Sequence, residues 1–430
     1  MMTAPNRSDP YEGNILVEPL GPILSRPEVL KRTLTLPPIP DEIAAVPLHI
    51  RPHHLMSVRD LHIPSPEGAR VAETIDLMLR QGYRYRHPSR ASTWAIVGNE
   101  PMRAQTPQAV PMAAVVVGHS GVGKTEAIRR AFGCYPQQIV SHQSFPKLIG
   151  PHHQVVWLSV DAPASGRLAD FAANLMIAWD DVFARCVPGH APRFETALAR
   201  GRRDGARMLD EWRQVAASHF LGVLHIDEVQ NFFRLPTLAQ RRSRKSSTVD
   251  DHVELSLIED QTLKAILTLT NTWQIPVILS GTNDGVAALN KRSSNLQRFV
   301  TSGSHRLDEF RLADDERYQM FLAQLGRYQY LRKRLSVDDI HELMLQLTAG
   351  VPRLIIALWV GAHRVAFERR DDALRPEDLR RAAETFLAPV APAVAALRSG
   401  DPRLMRRYED LMPRDNDVWN AFWAGSTART

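Results

Sequence analysis

The sequence predicts an α/β fold in which helices cover both faces of a parallel sheet. Apolar strand-like runs alternate with helical segments from about residue 105 to residue 312, a pattern typical of parallel strands joined by helices. A glycine-rich turn at residues 118–125 separates the first strand-like run from the first helical segment. Residues 313 to about 390 show helical periodicity without strands, which predicts a small C-terminal helical domain.

The predicted elements follow in order along the chain. Strand-like runs cover residues 112–118, 154–160, 221–227, 276–281 and 305–310, and helical segments cover residues 124–132, 167–185, 207–218 and 251–273. In the helical domain, Ser336 is placed to cap one helix and Pro376 lies in the favoured first turn of another. We expect four segments: an N-terminal extension at 1–95, an α/β core at 96–312, a helical domain at 313–390 and a tail at 391–430.

The N-terminal extension carries ten prolines between Pro19 and Pro66. Proline is tolerated in a first helical turn but not inside a helix, so we expect short helices, such as one at 27–34, and a longer amphipathic helix at 66–83. Residues 83–90, YRYRHPSR, alternate aromatic and basic side chains. They either stack on a partner or on DNA, or pack within the extension itself. We interpret the extension as an ordered, partner-binding arm.

Composition excludes several classes of protein. The 430 residues are 44% hydrophobic, as in a globular protein with a buried core. Two cysteines without a C-x-x-C pair argue against disulfides and a cysteine-based metal site. No signal segment and no apolar run of about 18 residues occur, so we expect no membrane association and a location in the bacterial cytosol. The net charge of +6 permits polyanion binding without requiring it.

Residues 118–125 form the pattern G-x-x-x-x-G-K-T between a strand-like run and a helical segment. Such glycines let backbone N–H groups surround a phosphate, and the following helix directs its positive dipole end at the same anion. Lys124 would contact the β- and γ-phosphates, and the Thr125 hydroxyl would bind Mg²⁺. The pattern predicts a nucleoside triphosphate site formed by Gly118, His119, Ser120, Gly121, Val122, Gly123, Lys124 and Thr125.

Adjacent carboxylates end the apolar run at residues 221–227. Beside the phosphate loop, Asp227 would hold Mg²⁺ through water and add to the nucleotide site, and Glu228 would polarise the water that attacks the γ-phosphate. The alternative is a pair of solvated acids that start a helix. With a phosphate loop about a hundred residues upstream, we favour the metal and base roles, and therefore hydrolysis over transfer to a metabolite.

Thr282 and Asn283 end the apolar run at residues 276–281. If this strand lies beside the Asp227 strand, either side chain can hydrogen-bond the γ-phosphate or the lytic water. Thr and Asn are also favoured helix N-caps, and the two roles are compatible.

Downstream arginines supply further candidates. Arg353, in Gly350-Val-Pro-Arg, opens a helix of the small domain and is placed to reach nucleotide phosphates. Arg292 and Arg298 follow the Asn283 strand by one helix, where an arginine can project to a neighbouring subunit's γ-phosphate. A surface salt bridge is the alternative for each of them.

The order and spacing of residues 118–125, 224–228, 280–283 and 350–353 resemble those of AAA+ ATPases. More narrowly, IDEVQN at 226–231 with LSGTN at 279–283 resembles the TnsC/TniB transposition regulators, relatives of IstB and of helicase loaders. The resemblance covers about residues 105–385 and implies ATP and Mg²⁺ as cofactors. It also implies the first sensor role for Asn283, the second for Arg353 and the intersubunit finger for Arg298.

The same resemblance implies a homo-oligomeric ring or filament on duplex DNA that links a target selector of the TniQ/TnsD kind to a transposase. Independently of family, two basic clusters are candidates for contacts to DNA phosphates without reading of sequence. These clusters comprise Arg202 and Arg203, beside Arg200, and Arg241, Arg242, Arg244 and Lys245. Mobile, solvated loops are the alternative.

The tail carries Tyr408, Trp419, Phe422 and Trp423, which either anchor a partner or pack back on the chain, and we favour partner binding. The leading hypothesis is an ATP-dependent transposition regulator whose hydrolysis drives disassembly from DNA. A replication-initiator or helicase-loader ATPase is the second hypothesis. A P-loop kinase acting on a small molecule is the third, and Asp227, Glu228 and Arg353 argue against it.

Overall fold

The computed structural model of the chain describes residues 9–98, 110–200, 204–232, 257–283, 300–369, 371–401 and 403–405, with the backbone alone at 257–261. Contacts between Cα atoms group the chain into two units. The sheet unit comprises residues 1–32, 66–117 and 124–306, and the helical unit comprises residues 33–65, 118–123 and 307–430. The expected boundaries at 95, 312 and 390 remain predictions.

In chain order the helices of the described residues are α1 (Arg26–Thr33), α2 (Arg51–Leu55), α3 (Pro66–Tyr85), α4 (Ala91–Val97), α5 (Lys124–Phe132), α6 (Leu168–Cys186), α7 (Glu195–Leu198), α8 (Gly205–Ser218), α9 (Leu257–Asn271), α10 (Glu316–Leu325), α11 (His341–Thr348), α12 (Pro352–Phe367), α13 (Pro376–Thr385) and α14 (Ala391–Ser399). The strands are β1 (Ala113–Val117), β2 (Ile139–His142), β3 (His152–Val155), β4 (Trp157–Asp161), β5 (Val223–Asp227), β6 (Val277–Gly281) and β7 (Gly303–Arg306). Short 3₁₀ turns occupy Glu18–Leu20, Ile43–Ala45, Met56–Asp60, Val229–Phe232, Asp338–Ile340 and Ala388–Val390.

Within the described part of the sheet unit, five parallel strands form a sheet in the order β4-β5-β6-β1-β7. The three inner strands β5, β6 and β1 are buried along their whole length, as expected for parallel strands covered on both faces. Parallel strands end at the same edge, so the residues that follow β1, β5 and β6 lie together. A separate antiparallel hairpin pairs β2 with β3.

Helices α6 and α8 pack side by side in the main core of the sheet unit. Trp179 of α6 and Trp212 of α8 meet edge to face, with ring centroids 6.4 Å apart, and both side chains are fully buried. Burial of such large aromatic rings contributes strongly to stability. Helix α5, which follows β1 along the chain, packs on the sheet through the buried side chains of Ile128 and Phe132.

The helical unit has a core of its own, formed mainly by α10 to α14. Its Trp359 is buried and donates its indole N–H to the carbonyl of Tyr328 at 2.9 Å. Residues 33–65 belong to this unit: buried Arg51 forms an ion pair with Asp372 at 2.8 Å, and the Tyr328 hydroxyl donates to the carbonyl of Pro37 at 3.0 Å.

The predicted fold class is confirmed, and most predicted elements occur within a few residues of their expected ends. The run at 154–160 is an exception, since it contains two strands that break at Val156. The N–H of Val156 donates to the carbonyl of Gln138 at 2.8 Å, which takes the backbone from the β2–β3 hairpin into the main sheet. The last strand, β7, lies at 303–306 rather than at 305–310. The first six residues of the helix expected at 251–273 lie outside the described residues.

The expected cap at Ser336 is wrong. Helix α11 begins only at His341, after the 3₁₀ turn Asp338–Ile340, and no side chain caps either element. The turn that precedes the helix buries Ile340 completely. Pro376, in contrast, opens α13 as predicted.

For residues 83–90 the structure favours packing within the chain. Tyr83 and Arg86 are both buried, and the Arg86 guanidinium lies 5.4 Å from the centre of the Tyr83 ring. Arg86 also donates to the carbonyl of Leu221 at 2.8 Å. In the described ranges no single helix is long and apolar enough to cross a membrane, although α11 with its preceding turn and α12 pass that test as a pair bent by 115°.

Candidate functional site

The turn at residues 118–123 joins β1 to α5. Gly121 and Gly123 have φ angles of +88° and +97°, which L side chains rarely adopt. A Cβ atom on Gly118 would overlap the carbonyl oxygen of Leu307. Sequence and backbone therefore agree on why glycine occupies these positions: two set the curvature of the turn and one permits close packing.

Arg353 holds this turn within the helical unit. Its Nη2 donates to the hydroxyl of Ser120 at 2.8 Å, and its backbone N–H donates to the carbonyl of Gly121 at 3.2 Å. Pro352 occupies the first turn of α12, where its fixed φ favours helix initiation. Arg353 therefore contacts the loop directly, and its expected contact with the nucleotide phosphates stays a prediction.

Helix α5 begins at Lys124, directly after the turn. Lys124 is buried, whereas Thr125 is exposed. The Thr125 hydroxyl donates to the Oδ2 atom of Asp227 at the end of β5. A hydroxyl and a carboxylate that the sequence separates by 102 residues therefore meet at one point of the sheet edge.

Asp227 is 5% exposed. Its Oδ1 atom accepts hydrogen bonds from the Ser280 hydroxyl at 2.5 Å and from the backbone N–H of Glu228 at 2.8 Å. Burial disfavours the charged form, but the facing His225 and the hydrogen bonds from Ser280, Thr125 and Glu228 outweigh it, and the pKa of Asp227 lies below its ordinary value. The carboxylate is therefore ionised at neutral pH.

These oxygen atoms suit magnesium. Mg²⁺ prefers carboxylate, hydroxyl and water oxygens, usually with few protein ligands, and Thr125 and Asp227 supply one hydroxyl and one carboxylate in direct contact. Asp227 and Thr125 would hold the ion beside a bound triphosphate, where it would neutralise charge that develops on the phosphates.

His225 lies two residues before Asp227 on the same strand and is 1% exposed. Its Nδ1 lies 2.8 Å from the Ser159 hydroxyl and its Nε2 lies 2.7 Å from the Ser280 hydroxyl. Burial lowers the pKa of His225 below its ordinary value, although the Asp227 carboxylate opposes the shift. The imidazole ring is therefore neutral at pH 7.

Glu228 has an unusual backbone for its residue type. Its φ is +55°, and such non-glycine residues often occur at functional sites. The exposed side chain accepts a hydrogen bond from the Gln230 amide, whose Oε1 in turn accepts from the backbone N–H of Thr282 at 3.2 Å. A Cβ atom on Gly281 would lie 2.8 Å from that Oε1, so glycine leaves room for Gln230.

The strand neighbours of Asp227 confirm the expected arrangement of β5 and β6. These strands pair in parallel, with Ile226 opposite Leu279. Half-buried Asn283 follows β6 by two residues, so it lies at the same edge of the sheet as Asp227. Its sensing role remains a prediction.

Several predicted site residues lie outside the described residues. They are the arginine candidates Arg292 and Arg298, the basic residues Arg202, Arg203, Arg241, Arg242, Arg244 and Lys245, and the tail aromatics Tyr408, Trp419, Phe422 and Trp423. Arg200, beside the first basic cluster, forms an ion pair with Glu211 at 3.4 Å.

Residues 110–289 match the family model of the AAA domain. This part of the chain is therefore similar to an AAA domain. The matched residues include the phosphate loop, Asp227, Glu228 and Asn283, whereas Arg353 lies outside them. No curated protein matches the chain.

A solved structure of the Thermotoga maritima RuvB Holliday junction branch migration motor is similar to the chain, with 14% sequence identity and a TM-score of 0.34. The match covers 64% of this chain and 62% of that chain. The chain therefore spans less than two thirds of the length of that structure.

Sequence reasoning assigned no role to His225, Ser280 or Gln230. The first two were visible as polar residues inside apolar strands, at positions that alternate onto the face of Asp227. Gln230 follows the paired acids by two residues. Identifying their partners requires the order of the strands, because each hydrogen bond joins residues that are adjacent only in the folded sheet.

Proposed function

We propose that the AAA domain binds Mg²⁺·ATP at residues 118–125 and hydrolyses it. The observation that carries this proposal is the contact between the Thr125 hydroxyl and the buried, ionised Asp227. This contact places two oxygen ligands for Mg²⁺ at the start of the helix that follows the phosphate loop. Lys124 binds the β- and γ-phosphates, and Arg353, already bonded to Ser120 of the loop, adds positive charge beside the nucleotide.

Glu228 is the general base for the attacking water in this proposal. It directly follows the metal-binding Asp227, and its exposed carboxylate is held by Gln230. Asn283, at the end of the neighbouring strand, orients the water or senses the γ-phosphate. Positioning of a water between a base and a metal-held phosphate is the main requirement of phosphoryl transfer to water.

We further propose that ATP binding assembles the chain into a homo-oligomer on duplex DNA and that hydrolysis dismantles it, as in a regulator of transposition. Support for this task comes from the sequence: IDEVQN at 226–231, LSGTN at 279–283 and the basic residues at 241–245. In such an assembly Arg298 reaches the γ-phosphate of a neighbouring subunit. A target selector and a transposase are the proposed protein partners.

Measurement of ATP turnover and sedimentation, each with and without duplex DNA, tests the proposal. We expect DNA to stimulate turnover and ATP to shift the sedimenting species to larger assemblies. Replacement of Lys124 by Ala should abolish ATP binding and both responses, whereas replacement of the exposed Lys31 by Ala is the matched control. A wild-type protein that binds no ATP, or assembles equally with ADP and ATP, would contradict the proposal.

The DNA contact has its own test in the dependence of affinity on salt. Each phosphate contact to duplex DNA contributes about 0.9 to the slope of log K against log salt concentration. Alanine replacement of Arg241, Arg242, Arg244 and Lys245 should therefore flatten the slope markedly. The same number of replacements among exposed cations elsewhere should not, and suitable controls are Lys31, Arg84, Arg381 and Arg403. The kinase alternative makes a different prediction. ATP turnover that does not change with DNA and requires an added metabolite would indicate a kinase.

A further inference from the structure

A line of hydrogen-bonded side chains crosses one face of the sheet from β4 to the end of β5. Ser159 of β4 pairs in register with His225 of β5, and Ser280 lies two residues beyond Ile278, the β6 residue opposite His225. Residues two apart on a strand share a face. The line therefore runs from Ser159 through His225 and Ser280 to the carboxylate of Asp227.

The donors and acceptors in this line leave one arrangement of hydrogens. An ionised Asp227 carboxylate can only accept hydrogen bonds, so the Ser280 hydroxyl donates its one hydrogen to the Oδ1 atom at 2.5 Å. Ser280 must then accept from the Nε2 atom of His225 at 2.7 Å, which therefore carries a hydrogen. The Nδ1 atom of His225 lies 2.8 Å from the Ser159 hydroxyl, which completes the line.

We propose that His225 is a positioning residue for the metal-binding carboxylate and acts through Ser280. The Nε2–H group of His225 fixes the Ser280 hydroxyl so that its hydrogen points at Asp227 Oδ1. The Oδ2 atom is then left facing Thr125. This inference rests on the proposed function, because the orientation matters for catalysis only if Asp227 and Thr125 hold Mg²⁺.

The surroundings of the line support a role beyond filling the core. Leu224 and Ile226 flank His225 along the strand and Ile278 lies opposite it on β6, so three of its four sheet neighbours are apolar and Ser159 is the fourth. An aliphatic side chain would satisfy the strand at lower desolvation cost. The His225 ring instead packs near Phe132 of α5, with centroids 6.2 Å apart, and uses both nitrogens on serines. Partners that orient metal ligands typically change metal affinity or activity 10- to 100-fold when lost.

Two substitutions of His225 separate positioning from packing. In Gln the amide nitrogen reaches about where Nε2 lies and can still donate to Ser280, whereas the shorter Asn reaches only toward Ser159. We expect His225→Asn to lower kcat about 10- to 100-fold and to raise the Mg²⁺ concentration needed for half-maximal turnover, with a smaller change in the KM for ATP. His225→Gln should restore most of that loss.

Further variants test the path through Ser280. Ser280→Ala should resemble His225→Asn, and the double variant should lose little more than either single variant because both act through one hydrogen bond. His363→Gln, which changes a buried histidine of the helical unit, is the matched control and should leave kcat and the Mg²⁺ dependence unchanged. Equal losses in His225→Gln and His225→Asn, with normal Mg²⁺ dependence, would overturn the proposal.

A spectroscopic measurement tests His225 without any nucleotide. In ¹⁵N spectra of histidine-labelled full-length protein, the signal that disappears in His225→Gln should come from a ring that carries a hydrogen on Nε2. A ring with its hydrogen on Nδ1 and none on Nε2 would contradict the proposed hydrogen bond from His225 to Ser280, even if turnover is normal. Conversely, wild-type protein with the Nε2–H tautomer but no ATP hydrolysis would contradict the proposed function and leave the His225–Ser280 bond in place.

Discussion

Two buried histidines, one in each unit, serve different ends. His225 in the sheet unit bonds two serine hydroxyls, and one of them bonds the carboxylate of Asp227, the proposed metal ligand. His363 in the helical unit is equally buried, but its Nδ1 lies 2.8 Å from the carbonyl of Trp359 and its Nε2 accepts from the backbone N–H of Tyr330 at 3.4 Å. The two rings therefore carry their hydrogens on opposite nitrogens.

The difference shows that burial of a titratable ring does not by itself indicate function. Both rings are neutral because burial penalises the charged form. The two ring nitrogens of His363 contact backbone groups, the carbonyl of Trp359 and the N–H of Tyr330. His225 bonds side chains that can change orientation, so its hydrogen bonds are able to influence a site.

Loss of Glu228, the proposed general base, should give the largest effect, and it should affect hydrolysis alone. We expect Glu228→Gln to lower turnover by about 10²- to 10⁴-fold, because a general base contributes that range, while ATP binding persists. A glutamine at 228 still offers an acceptor to Gln230, so the local geometry is preserved. The measurement is single-turnover hydrolysis beside ATP affinity, with Glu384→Gln on the exposed face of α13 as control. Unaltered turnover would remove Glu228 as the base.

Acid titration addresses the helical unit. Burial lowers the pKa of His363 to about 4, below the ordinary value of about 6.5, so between these pH values the unfolded chain binds a proton that the folded chain does not. The free energy of unfolding therefore falls by about 3 kcal/mol on account of His363 as the pH falls from 6.5 to 4, and it does not depend on this residue above pH 6.5.

Denaturant unfolding from pH 7 to pH 4 measures this loss when wild type is compared with His363→Gln, which cannot titrate at that position. We expect the free energy of unfolding of the variant to fall less steeply with pH over this range. The difference between the two slopes should correspond to the uptake of about one proton on unfolding of the wild type. Identical slopes would mean that His363 is charged in the folded state, and the contrast with His225 would then need another cause.

The sequence predicts those elements of the molecule that depend on local patterns of residues. The buried strands β1, β5 and β6 are apolar runs that end in polar residues, and Thr125 and Asp227 follow from the motif and from the parallel order of strands. The break at Val156 could not be predicted, because both halves of the run at 154–160 are similar in composition. At the break the N–H of Val156 donates to the carbonyl of Gln138, a residue outside the run. The hairpin strand β2 is too short and polar to give a strand signal.

The same limit explains what was missed at the site. Nothing in the run LHIDE indicates which residue His225 contacts, because Ser159 and Ser280 lie 66 and 55 residues away. The role of Gln230 likewise depends on Thr282 of the neighbouring strand. Long-range hydrogen bonds of this kind become predictable only when strand order and register are known.

Arg353 of the helical unit should show an intermediate effect. Arg353→Ala removes the donor to Ser120 and the positive charge that we propose lies beside the nucleotide. Because hydrogen bonds from charged groups contribute about 1.5–3 kcal/mol, loss of one such bond to a phosphate should weaken ATP binding roughly 10- to 100-fold. Arg353→Lys should recover only part, since lysine lacks the planar fork of donors. Equilibrium binding of a fluorescent ATP analogue measures this, with exposed Arg381→Ala as control. Full affinity in Arg353→Ala would limit Arg353 to holding the free loop.

The smallest effects should come from a matched pair of helix caps, one in each unit. Asp204 caps α8 of the sheet unit by accepting from the N–H groups of Ala206 and Arg207, and Asp315 caps α10 of the helical unit by accepting from those of Arg317 and Tyr318.

Loss of such a cap costs about 1 kcal/mol, so Asp204→Ala and Asp315→Ala should each lower the free energy of unfolding by that amount without changing ATP turnover. Asn caps nearly as well as Asp, and the corresponding Asn variants should therefore keep most of the stability. Denaturant unfolding of the four variants checks this. A cap variant that slowed turnover as much as His225→Asn would show that stability alone controls activity, and the two buried histidines would no longer differ in kind.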